Sequence, residues 1–202
     1  MSEVVGPDEA GIEAAIRALD AGEAIVLPTD TVYGLGARPE QAARLFEVKG
    51  RPRDLTLPVL VARVEDAREV AVLDERAETL AASFWPGALT MVLGRATRSA
   101  GWDLGAHETT VGVRVPAERV ARTLLERTGP LAVTSANRSG EPTPDTCEGV
   151  REMLGEDVAV YLCAGTAPGG TPSTVVDLAG DPRVIRAGAI PIDDLLAALE
   201  AG

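Results

Sequence analysis

Lys49 is the only lysine in the chain, against 18 arginines, and it stands in the run Val48-Lys49-Gly50-Arg51-Pro52-Arg53. An ammonium is a compact point charge and a guanidinium a planar fork, so the two together suit phosphate alongside carboxylate. From Arg38 to Arg53 five basic residues meet two acidic ones, a local +3 within a chain of formal charge −12, which leaves −15 elsewhere. A small cationic island on an anionic body fits a compact anion such as a nucleotide triphosphate. It fits a long polyanion less well, because that needs an extended basic track. A solvated helix end with basic residues near its C-terminal dipole gives the same pattern, and position alone does not separate the two.

Three further segments are polar, rich in Gly or Pro, and placed where strands should end. Pro28-Thr29-Asp30-Thr31-Val32-Tyr33-Gly34-Leu35-Gly36 flanks a carboxylate with two hydroxyls, which can orient a small polar ligand, and its glycines let backbone N–H groups approach. A capped turn uses the same residues. In Thr134-Ser135-Ala136-Asn137-Arg138-Ser139-Gly140-Glu141-Pro142, Ser135 and Asn137 project to one side with period two and can donate to phosphate or ribose oxygens. An ordinary Asx/Ser turn is the alternative. The last segment, Gly169-Gly170-Thr171-Pro172-Ser173-Thr174, leads through a strand to Arg186-Ala187-Gly188 and reads by itself as a loop with a hairpin.

Several chemistries are excluded by pattern. There is no G-x-x-x-x-G-K-[ST] and no third glycine to complete G-x-G-x-x-G after Gly36. No G-x-S-x-G elbow is present, and the single histidine, His107, has no partner at a nucleophile's spacing. Cys147 and Cys163 make no disulfide framework and read as small core residues rather than a redox pair. Most carboxylates, among them Asp66, Asp74, Glu75, Glu78, Glu118 and Glu126, fall on helix faces where solvation accounts for them. No apolar run approaches about 18 residues, and MSEVVGPDEA has neither a basic nor an apolar leader region, so a reducing cytoplasm and no membrane are expected.

The elements that would carry these segments follow from periodicity. Helices are expected near 9–21 (Asp8 as N-cap, Gly22 as stop), 39–48, 74–84, 117–127, 147–154 and 193–201. Strands are expected at 24–27, 58–62, 89–93, 110–115, 131–134, 158–162, 174–178 and 184–186. Seven or eight strands interleaved with five or six helices predict one α/β (α+β) domain over residues 1–202, its core spanning about 8–190. With no helix pattern between 89–93 and 110–115, the sheet should be mixed.

Taken in order, PTDTVYGLG (28–36), KGRPRD (49–54), WPGALT (85–90), TVGVRVP (110–116), TSANRSGEPTP (134–144), PSTVVDL (172–178) and IRAGAI (185–190) closely resemble the YrdC-like family of threonylcarbamoyl-AMP synthases, in its short single-domain form. The resemblance implies a mixed sheet flanked by helices around a central cationic cavity. It also implies a reaction that joins L-threonine, bicarbonate and ATP into threonylcarbamoyl-AMP and pyrophosphate, for the tRNA base threonylcarbamoyladenosine. Mg2+ would accompany ATP without protein ligands of its own. A tRNA or a tRNA-modification protein is left open as partner.

Carried over residue by residue, Lys49 and Arg51 would face the nucleotide phosphates as the catalytic cations, with Thr110, Asn137 and Arg186 also on ATP. Thr31, Arg114, Ser135 and Ser173 would hold threonine. Three positions depart from the family pattern: Leu55 stands where a polar residue often meets ATP, Leu60 where some members place a threonine-contacting His, and Asp145 where a small hydroxyl often lies. Two other readings remain at this level. One is an RNA-binding or regulatory member without catalysis, and the other a paralogue handling another carbamoyl adenylate.

Overall fold

The computed structural model describes residues 2–50, 52–168 and 170–201. Ten strands among them form a single sheet: β1 (Glu3–Val5), β2 (Ile25–Leu27), β3 (Gly34–Ala37), β4 (Val59–Leu60), β5 (Leu89–Gly94), β6 (Thr110–Arg114), β7 (Leu131–Ser135), β8 (Val160–Leu162), β9 (Thr174–Asp177) and β10 (Arg183–Arg186). Seven α-helices accompany them: α1 (Glu9–Asp20), α2 (Ala43–Lys49), α3 (Val64–Val70), α4 (Glu75–Phe84), α5 (Arg119–Thr128), α6 (Cys147–Leu154) and α7 (Ile192–Ala201). The strand order is β1-β8-β2-β3-β7-β4-β6-β5-β9-β10. The sheet is mixed, as expected: β5 runs antiparallel to β6 and parallel to β9.

Where caps are strong, boundaries fall close to expectation. Asp8 accepts from the Gly11 amide at 2.9 Å to start α1, and Asp74 does the same for Ala77 at the head of α4. α2 ends at Lys49 because Gly50 takes φ +60°, a left-handed cap that a β-carbon disfavours. Three elements were not expected. β1 is short and half-exposed, α3 lacks a side-chain cap, and β3 lies inside the segment read as one polar loop.

Two cores lie on opposite faces of the sheet. The larger takes Leu45 and Phe46 of α2, Val70 of α3, Leu80 of α4, Val150 of α6 and Leu195 of α7 against Val26, Leu35, Val59, Met91, Val113 and Val176. The smaller packs Ile12 and Leu19 of α1 with Leu124 and Leu125 of α5 over Ile25, Leu27, Leu60, Leu131 and Leu162. Cys147 and Cys163 are joined in a disulfide, which corrects the reading of two independent core thiols. The bond ties the start of α6 to the chain just past β8. Among the described residues no helix is long and apolar enough to cross a membrane.

Candidate functional site

The smaller core draws residues from β2, β4, β7 and β8 but none from β5, β6 or β9. Register and period two decide what that half of the face carries. Met91 pairs with Val113 and Leu93 with Val111, while Thr90 pairs with Val175. The side chains of Met91, Val111, Val113 and Val176 enter the larger core. Thr90, Val92, Thr110, Arg114, Ser173 and Val175 therefore point the other way. Val92, Thr110 and Val175 are only part-buried there. The result is a strip of sheet with a polar row across it, in which Thr90, Arg114 and Ser173 are buried.

Arg114 anchors the strip, with 7% of its side chain exposed. Its Nε donates to Gly87 O at 2.9 Å and its Nη1 to Thr31 Oγ1 at 3.0 Å. Nη2 lies 2.8 Å from Asp30 Oδ1 and completes a buried ion pair. Burial pushes the guanidinium below its ordinary range, and the Asp30 charge opposes that shift. The hydroxyls of the loop form a directed chain. Thr29 Oγ1 donates to Val32 O at 2.6 Å, so the 3.1 Å contact between Thr31 and Thr29 has Thr31 as donor. This loop folds back over the sheet because Gly34 has no side chain: a β-carbon there would sit 2.7 Å from Val133 Cγ1 and 3.5 Å from Thr29 Cγ2.

A second cluster lies on the neighbouring strands. Thr90 Oγ1 and Ser173 Oγ are 2.8 Å apart. Arg186 donates through Nη2 to Ser173 Oγ at 3.0 Å and through Nε and Nη2 to Ser173 O at 3.0 and 2.8 Å. Arg114, Thr90, Ser173 and Arg186 thus cross four adjacent strands, a span of roughly 15 Å at the usual interstrand spacing.

Lys49 enters from α2 and is 4% exposed, so it is no solvated helix end. Its Nζ donates to Ser135 O at 2.6 Å, Asn137 O at 2.7 Å and Asn137 Oδ1 at 2.9 Å. Asn137 Oδ1 also accepts from Ser135 Oγ at 2.6 Å and Thr143 Oγ1 at 3.2 Å, and its Nδ2 donates to Arg138 O and Glu141 O. The ammonium and the amide together hold the loop that follows β7.

The structure therefore groups the sequence-predicted residues as Thr31 with Arg114, Ser173 with Arg186, and Lys49 with Ser135 and Asn137. Thr110 sits at the far end of β6 from Arg114, roughly 13 Å away by strand rise, and joins none of these hydrogen-bonded groups. Arg51 lies outside the described residues. Leu60 is buried in the smaller core and pairs with Arg114 across β4 and β6, while Leu55 and Asp145 are exposed. A cavity of about 120 Å³ lined by Arg38, Glu40, Arg98 and Trp102 contains none of the predicted site residues. Sequence reading passed over Thr90, inside the strand expected at 89–93, and the Asp30–Arg114 pairing. The outward phase of Thr90 opposite Met91 was the available signal.

Comparison with known proteins gives the family and the fold. The family model Sua5_yciO_yrdC, described as telomere recombination, matches residues 17–188. A Mycobacterium tuberculosis H37Rv protein named "Putative threonylcarbamoyl-AMP synthase" is 44% identical over 185 residues, which is 89% of this chain and 85% of that one. Pyrococcus abyssi Sua5 complexed with L-threonine superposes with a TM-score of 0.87 at 33% identity, covering 98% of this chain. This chain spans 60% of that structure's length. Escherichia coli YciO superposes at 0.86 with 27% identity, covering 96% of this chain and 100% of its own.

Proposed function

Because the chain belongs to the Sua5/YciO/YrdC family, we propose that it is a threonylcarbamoyl-AMP synthase, making threonylcarbamoyl-AMP and pyrophosphate from L-threonine, bicarbonate and ATP. The observation that carries this reading is the row of fixed cations and hydroxyls on one face of the sheet, Arg114 with Thr31 and Arg186 with Ser173 and Thr90.

In this reading Arg114 and Thr31 hold the threonine carboxylate, with Ser173 and Ser135 on the amino-acid side. Bicarbonate carboxylates the threonine amine with loss of water. One carbamate oxygen then attacks the α-phosphorus of ATP, the bond to the β-phosphate oxygen breaks, and pyrophosphate leaves. The bond-making atoms come from the substrates, so the protein's task is to align them and to balance anionic charge. Arg186, Thr110 and Arg51 would face the nucleotide. Lys49 and Asn137 would act through the loop after β7, whose backbone and hydroxyls they fix, with the ammonium adding charge from behind it.

Mg2+ would arrive on the nucleotide, where it lowers the phosphate charge. The product's handover to tRNA belongs to the same proposal. The deciding experiment combines protein, ATP, Mg2+, bicarbonate and threonine and follows pyrophosphate. Release that requires threonine and bicarbonate is expected. Threonine-independent release would favour a paralogue handling another carbamoyl adenylate, and tRNA binding at low and moderate salt without turnover would favour the RNA-binding reading.

A further inference from the structure

The stretch 52–57, which follows Lys49 and Arg51, belongs to no strand or helix, so its place is set by what it touches. That is the loop between β5 and β6. The Leu57 amide donates to Leu104 O at 2.8 Å, and Arg53 Nη1 pairs with Asp103 Oδ2 at 3.0 Å. Gly105, at φ +108°, lets the two backbones meet: a β-carbon there would lie 2.4 Å from Leu55 O and 3.1 Å from Phe46 Cζ. The loop itself holds only a short turn at Thr97–Ser99, and one side chain gathers the rest. Arg95, the first residue after β5, donates through Nε to Thr110 O at 3.0 Å, through Nη1 to Ser99 O at 3.0 Å and Trp102 O at 2.6 Å, and through Nη2 to His107 O at 2.8 Å. Its own amide donates to Thr109 O at 3.0 Å.

A guanidinium is a rigid planar fork, so four carbonyls bound to it are fixed relative to one another. Here they run from Ser99 to Thr110 and include both the start of β6 and the loop that braces 53–57. In the reading above, Thr110 and Arg51 face the nucleotide. We propose that Arg95 is a positioning residue for the nucleotide, fixing Thr110 through its carbonyl and the 53–57 segment through the 99–107 loop. The inference rests on that reading. It requires nucleotide and threonine to respond differently, because Arg114 lies at the other end of β6, roughly 13 Å from Thr110 by strand rise. The same four bonds could serve the loop's stability alone, so the test must separate stability from ligand placement.

The measurement is calorimetric binding of Mg–ATP and, separately, of L-threonine to the full chain, with thermal melts alongside. Arg95→Met should weaken Mg–ATP by roughly 10-fold or more, the scale of one misplaced hydrogen bond to a charged phosphate. Threonine should change by less than about 2-fold, as for a site with no shared partners. Arg95→Lys should fall between wild type and Arg95→Met, since an ammonium reaches fewer of the four carbonyls. Gly105→Ala leaves Arg95 intact and presses on Leu55 from the loop side, and it should show the same selective loss. Equal weakening of both ligands in Arg95→Met, or a lower Tm with Mg–ATP affinity within about 3-fold of wild type, would mean support of the loop only and would overturn the proposal. If Arg95→Met does not fold, Gly105→Ala and wild-type amide exchange decide. Exchange at the Leu57 amide is expected to slow when Mg–ATP binds and not when threonine does, and an unchanged rate with Mg–ATP is the overturning result. Wild-type protein that binds no Mg–ATP sinks the nucleotide reading with this inference, whereas wild-type protein that binds both ligands, beside variants that lose neither, sinks this inference alone.

Discussion

Lys49→Met removes the ammonium while keeping most of the stem's volume, and the contacts set what is lost. Among the described residues Nζ makes three hydrogen bonds of 2.6 to 2.9 Å, and Lys49 is 4% exposed. Bonds to a charged donor contribute about 1.5–3 kcal/mol each when both partners are buried. The sum overstates the loss, because two of the three acceptors keep other donors. Ser135 O still receives the Asn137 amide at 3.0 Å, and Asn137 Oδ1 still receives Ser135 Oγ and Thr143 Oγ1. Asn137 O is left to find water. A net destabilisation of roughly 2–4 kcal/mol follows, which for a chain of this length lowers Tm by roughly 4–16 °C.

The loss should also be local. Amide exchange at Asn137 and Ser139 should accelerate more than at the strands of the sheet, since the Ser139 amide donates to Lys49 O at 2.9 Å and shares the same loop. Threonine-dependent pyrophosphate release should fall even well below the variant's Tm, because the loop no longer presents a fixed surface to the nucleotide. Thermal melts followed by circular dichroism, amide exchange and the pyrophosphate assay cover all three points. A variant melting within about 2 °C of wild type, with unchanged exchange after β7, would refute the hub role. Lys49 would then have to act on phosphate directly.

Other outcomes follow from single contacts. Replacing both Cys147 and Cys163 by Ser removes a link across 16 residues, and chain entropy for a loop of that size predicts about 3 kcal/mol, or roughly 6–12 °C in Tm; an unchanged melt under oxidising conditions would show that the bond contributes nothing. Asp74 is partly desolvated, which alone raises its carboxyl, but the Ala77 amide and Arg76 outweigh this and hold it below 3.8. Its contribution is therefore complete above pH 3.8 and fades as pH falls through the depressed folded value, so Asp74→Ala should flatten the acid limb of stability and cost about 1 kcal/mol of helix capping at neutral pH. Urea melts of both proteins at neutral and acid pH check this, and an undiminished acid limb would contradict it. Gly34→Ala places a β-carbon 2.7 Å from Val133 Cγ1, and the crowding should cost about 1–3 kcal/mol and loosen the Thr29–Thr31 turn, raising the threonine concentration needed for half-maximal rate.

The elements legible from sequence are those whose determinants are local. α1 and α4 have an aspartate cap followed by helical periodicity, and both appear within a residue or two of expectation. α6 matches its expected bounds, with Thr146 capping through the Gly149 amide. β1 was not legible because its reason for being extended lies elsewhere: it pairs in parallel with Val160–Leu162, far along the chain, and two of its three residues are exposed. β3 was hidden by glycines, whose strand conformation comes from ladders to β2 and β7 on both sides. The disulfide joins a helix start to a strand exit, so only the packing of α6 on the sheet brings the two sulfurs together.

The same division holds at the site, and it changes what the cations do. Residue types and positions marked Lys49, Ser135 and Asn137, and the family resemblance added Arg114, Ser173 and Arg186, but nothing local says where a long side chain is aimed. Arg114 is aimed by Gly87 O, Thr31 and Asp30, which lie 27, 83 and 84 positions away in sequence. Lys49 donates to a loop 86 and 88 positions away. A cationic cluster read from sequence suggests flexible charges facing a ligand, whereas these are held on backbone carbonyls and fixed hydroxyls before any ligand arrives. Charge held in that way needs little reorganisation when negative charge develops at phosphorus, and it explains how a chain of net charge −12 can gather anions. The positive groups act at short range from buried or clamped positions, where solvent screening is weak, rather than as a field around the molecule. Added salt should accordingly leave threonine affinity nearly unchanged between about 50 and 300 mM, because the Debye length shortens outside the protein and not around Arg114. A steep salt dependence would instead place the amino acid on exposed charge and count against the Arg114 site.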